Sequence, residues 1–107
     1  MIDWERVEML RRDIGEEDFS EVVRLFIEEA EAVVGRLEAQ GTARQREADL
    51  HFLKGSALNL GFTELAALCG AEERRAAEGA TVDTAPVIGL YGASRRAFLG
   101  RIGDAAA

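Results

Sequence analysis

The chain has 107 residues, 48% hydrophobic and 31% charged, enough for one core and too few for two, so a single domain over residues 1–107 is expected. Twenty acidic residues against 13 basic ones leave a formal net charge of −7, which argues against a nucleic-acid or anionic-membrane partner. One cysteine and one histidine can build neither a disulfide framework nor a four-ligand zinc site, and without a signal peptide or a long apolar run a soluble, cytoplasmic protein is expected.

Ala, Leu, Glu and Arg dominate over Val and Ile, which favours helices. Trp4, Val7, Leu10 and Ile14 recur at steps of three and four, predicting a short first helix stopped by Gly15. Glu16, Glu17 and Asp18 then suit a helix N-terminus. The stripe Phe19, Val22, Val23, Phe26, Ile27, Ala30, Val33, Val34 and Leu37 predicts a long second helix closed by Gly41. Thr42 with Gln45 reads as a capping box opening a third helix, which runs to about Leu60 and stops at Gly61.

A fourth helix is expected from Phe62 or Thr63, with Leu65, Leu68, Cys69 and Ala76 on one side, ending near Gly79. A polar stretch leads to Pro86, tolerable only near a helix start. The last helix turns Val87, Leu90, Tyr91, Ser94, Phe98 and Ile102 inward before a fraying tail, Asp104 to Ala107. Together these elements predict an all-α fold, an up-down-up-down four-helix bundle with the short N-terminal helix across one end.

The third helix carries the chemistry. At about 100° per residue, Leu50, Leu53, Ala57 and Leu60 cluster between about 180° and 260° from His51, so the only histidine points away from the core. Arg44, Glu47, Lys54, Gly55 and Leu58 lie within about 60° of it. An exposed imidazole, with an ordinary pKa of about 6.5, is mostly neutral at cytoplasmic pH and keeps a nucleophilic lone pair. Lys54, the only lysine, stands one turn on, where its ammonium can neutralise phosphoryl oxygens. Gly55 removes a side chain that would crowd an approaching partner, and Leu58 is the expected exposed apolar docking residue, with Glu47 on the same face. Phe52 projects about 100° from His51 and reads either as a partner-facing contact or, the favoured reading, as packed against an adjacent helix. Cys69, on an inner stripe, is expected to be a buried, inert thiol.

The run His51-Phe52-Leu53-Lys54-Gly55-Ser56-Ala57-Leu58-Asn59-Leu60-Gly61, followed by Leu65, Cys69 and Glu73, resembles the signature of histidine-containing phosphotransfer (HPt) domains. Phe26, Gly61 and Gly79 fit that family too, whereas Leu50, Phe52 and Glu72 depart from its usual pattern. The resemblance implies a four-helix bundle whose histidine, His51, exchanges a phosphoryl group with aspartates of response-regulator receiver domains, some of them in hybrid histidine kinases. It assigns Lys54 to phosphoryl stabilisation, Gly55 to keeping the approach open and Gly61 to capping the helix.

No phosphate-cradling glycine loop is present, so neither ATP binding nor autophosphorylation is expected. The chain reads as a monomeric phosphocarrier rather than an enzyme, without a cofactor of its own; Mg²⁺ would come with the receiver. Two alternatives stay open: a non-phosphorylated helical adaptor binding through the His51 face, and a detached phosphotransfer module of a larger kinase, against which Met1 and the compact length favour a free-standing protein.

Overall fold

The computed structural model describes residues 1–39 and 41–102. Among them are five α-helices and no strand: α1 (Trp4–Ile14), α2 (Glu16–Glu38), α3 (Ala43–Leu60), α4 (Thr63–Ala77) and α5 (Ala85–Ile102). Each boundary has a local chemical cause. Asp3 caps α1 by accepting from the Arg6 amide, and Gly15, at φ 86, lets the chain turn directly from α1 into α2. The capping box expected at Thr42 is present, with the Gln45 amide donating to Thr42 Oγ1 at 3.1 Å and the Thr42 amide to Gln45 Oε1 at 2.9 Å.

Both ends of the α4 segment rest on the same device. The Phe62 amide donates to the Ala57 carbonyl at 2.8 Å and the Gly61 amide to Leu58 at 3.3 Å, a Schellman motif with Gly61 left-handed at φ 85. The pattern recurs where the Ala80 amide donates to Arg75 at 2.9 Å and Gly79, at φ 78, to Ala76 at 3.0 Å. Gly61 has a second reason to lack a side chain, because a Cβ there would stand 2.8 Å from the Asp3 carbonyl oxygen. That close approach permits the 2.7 Å bond from the Asp3 amide to the Gly61 carbonyl, which ties α1 to the α3–α4 junction.

α3 and α4 form the most intimate pair; α2 also packs on α3 and on α5, and α4 on α5. One buried cluster runs between them, with Phe62 edge-on to both Phe26 of α2 and Phe98 of α5 at 5.2 Å. Trp4 stacks on Phe98 at 5.8 Å beneath the Arg101 guanidinium, so α1 covers this end of the core. Arg46 donates to the carbonyls of Leu37 and Ala39, joining the start of α3 to the end of α2.

Three expectations need correction. α2 ends at Glu38 with Ala39 already extended, short of Gly41. Val22 leaves the inner stripe and is 37% exposed, because Phe19, Val23 and Phe26 already fill the α2 face on the core. Phe52 stands 44% exposed on α3, outside the packed core cluster, against the favoured packing reading. The expected fraying of Asp104 to Ala107 falls outside the described residues.

Candidate functional site

The inward side of α3 is Leu50, Leu53, Ala57 and Leu60, all buried, which turns the opposite side to solvent. His51 emerges there with its side chain 71% exposed. Gly55 is exposed and a Cβ built on it would meet nothing within 4 Å, so the surface one turn from the imidazole is open. Leu58 is 53% exposed as expected, and Phe52 adds a second apolar side chain to this face. Glu47 is half-buried on the preceding turn.

The imidazole is not free on both sides. His51 Nδ1 lies 2.9 Å from Glu73 Oε2 of α4, and Lys54 Nζ lies 3.4 Å from the same carboxylate's Oε1. Burial by itself would raise the Glu73 pKa, but the hydrogen bond from His51 and the ammonium of Lys54 outweigh it and hold the carboxyl below its ordinary value. A carboxylate only accepts, so Nδ1 carries the proton and donates it, and the lone pair of the neutral ring is left on Nε2. Lys54 thus reaches across to α4 rather than projecting straight into solvent.

Glu73 appeared in the sequence only as part of a pattern, without a role. The signal that places it was available. His51 and Glu73 each stand eleven residues from Phe62, and Lys54 and Gly70 each stand eight from it. When two helices of equal rise fold back on each other about a short turn, residues equidistant from the turn lie side by side. Gly61 and Phe62 are that turn, and the contacts of His51 with Glu73 and of Lys54 with the Gly70 position follow.

Glu73 also gives a pH test. A carboxyl held low in the folded state contributes stability above its unfolded pKa, about 4.3, and that contribution is lost as pH falls through the folded value. The Tm difference between the wild type and Glu73→Gln should therefore be present at neutral pH and shrink in acid; a gap independent of pH would contradict the ion-paired geometry.

Cys69, one turn before Glu73, is buried as expected, and its thiol is pushed up to about 12, chiefly by desolvation and next by the Glu73 charge, so it stays protonated and inert. Among the described residues no group of three His, Cys, Asp or Glu side chains could hold a metal ion, and no helix is long and apolar enough to cross a membrane.

Fold and site together define an all-helical protein that presents one histidine from mid-helix, its inner ring nitrogen held by a carboxylate and its outer one offered to solvent. A family model described as the Hpt domain matches residues 21–95, and the chain belongs to that family. Hpt domains are phosphocarriers, not enzymes, that act with receiver domains in two-component phosphorelays. No curated protein and no solved structure matches significantly.

Proposed function

We propose that the chain is a phosphorelay intermediate in which His51 takes a phosphoryl group from the aspartyl phosphate of one receiver domain and yields it to another. The observation that carries this reading is the solvent-facing imidazole anchored through Nδ1. Nε2 attacks the phosphorus, the bond between phosphorus and the aspartyl oxygen breaks, and the receiver keeps its carboxylate with the Mg²⁺ it binds. The ring, bonded at Nε2 and still protonated at Nδ1, becomes cationic, and Glu73 stands 2.9 Å from that proton to stabilise the developing charge. The reverse transfer follows the same path.

Lys54, held beside His51 by the Glu73 carboxylate that the two share, serves the phosphoryl oxygens from that position. Phe52 and Leu58 supply apolar area for docking, Glu47 a polar edge, and Gly55 the clearance. The same reading takes α2 to α5 as an up-down-up-down bundle, supported by their neighbour pairs and by links of a few residues. It takes the 107 residues as one domain, acting as a cytoplasmic monomer.

The test is transfer of label from phosphorylated receiver domains to the purified chain in Mg²⁺. Label should appear on the chain and move to a second receiver; failure with every receiver of the source organism would refute the relay. Lys54→Ala should slow transfer about tenfold, less than loss of a donor in a closed site because this face is open to water, with helicity unchanged. Transfer at the wild-type rate would remove Lys54 from the account.

A further inference from the structure

Lys54 and Glu73 belong to different helices, and their ion pair requires the lysine stem to cross the surface of α4. The residue beneath that crossing is Gly70, buried in the middle of α4. A Cβ at Gly70 would stand 3.3 Å from Lys54 Cδ, tighter than most real contacts of that kind, and 3.7 Å from a guanidinium nitrogen of Arg74. Gly70 is a poor helix former in a helix interior, with no turn there to need it. Most other helical glycines, Gly35, Gly55, Gly89 and Gly100, would meet nothing at all with a Cβ added. Gly70 thus differs in having its missing side chain replaced by the stem of a site residue.

We propose that Gly70 is a positioning residue of the site: its lack of a side chain is the gap through which Lys54 crosses α4 to share the Glu73 carboxylate with His51. Lys54 and Gly70 stand at equal distances from Phe62, so the α3–α4 hairpin itself brings the lysine over the gap. A methyl group at position 70 already presses on the stem, and anything longer occupies its path and turns the ammonium outward. Glu73 then loses its ammonium partner while His51 keeps its hydrogen bond. Only the kinetic consequence of this inference rests on the phosphorelay reading; the placement of Lys54 does not.

The decisive comparison uses the full chain as the wild type, Gly70→Leu, Lys54→Ala and the double variant. The Glu73 carboxyl is titrated by NMR in each, and label transfer from a phosphorylated receiver is timed. The Glu73 midpoint should rise in Gly70→Leu to its value in Lys54→Ala and rise no further in the double variant. Transfer should slow about tenfold in all three, since one interaction is lost in each. An unchanged Glu73 midpoint in Gly70→Leu, or effects that multiply in the double variant, would overturn the proposal, because a purely packing role moves stability and not the carboxyl.

Should Gly70→Leu fail to fold, Gly70→Ala replaces it. Its methyl presses on Lys54 Cδ while improving the helix, so the midpoint should rise without a drop in Tm, and a midpoint at the wild-type value would again overturn the proposal. Midpoints that shift as expected in a chain that accepts no label would uphold Gly70 and refute the relay.

Discussion

His51→Gln should abolish acceptance of label from a phosphorylated receiver while leaving the helical content and Tm close to those of the wild type. The amide of glutamine has no nucleophilic lone pair comparable to that of imidazole. Because the His51 side chain is 71% exposed and outside the buried cluster, its replacement removes almost no packing. The residual rate should be indistinguishable from background, since no second histidine exists and the lone thiol is buried and protonated. Equal labelling of the variant would place the acceptor elsewhere.

The second large effect is on stability. Phe62→Ala should cost about 3–5 kcal/mol, the usual range for a large aromatic core side chain, out of the 5–15 kcal/mol that holds a domain of this kind together. Phe62 is completely buried and touches Phe26 and Phe98 edge-on, so one ring joins α2 and α5 to the turn between α3 and α4. Denaturant unfolding gives the measurement; a loss below about 1 kcal/mol would mean that the neighbours close over the space. The same turn sets which residues of α3 and α4 face each other, so the folded fraction of this variant should also show a weakened His51–Glu73 contact.

Much of this was legible in the chain itself, and the reasons are specific. Helix ends were readable wherever a cap has a chemical signature: the Thr42 and Gln45 box, Gly61 and Gly79 at positive φ, and Pro86 in the first turn of α5. The end of α2 was not, because Gly41 lies beyond the residue where the helix already stops. The outward direction of His51 followed from Leu50, Leu53, Ala57 and Leu60 alone, since a strong apolar quartet fixes a helix's rotation.

Periodicity within one helix does not report what a second helix brings. Phe52, favoured from α3 alone as a packed residue, stands 44% exposed and outside the core cluster. Glu73 and Gly70 come beside His51 and Lys54 only when α4 folds back along α3, which wheel geometry on α3 by itself cannot show. Counting outward from Phe62 supplies that register, because the short junction leaves little freedom for the two helices to slide.

The site that results divides the labour of one imidazole between two helices. In the proposed reading α3 carries the nucleophile, the lysine and the open surface, and α4 carries the carboxylate beside the inner nitrogen and the gap that admits the lysine. Charge created on the ring by the proposed transfer would be met by a group already in place.

The most direct test is to phosphorylate the ¹⁵N-labelled chain from a receiver and locate the phosphoryl group by phosphorus–nitrogen NMR coupling. The geometry requires the bond at Nε2 of His51, with Nδ1 still protonated against Glu73. A phosphoryl group on Nδ1, or on any residue other than His51, would contradict the account.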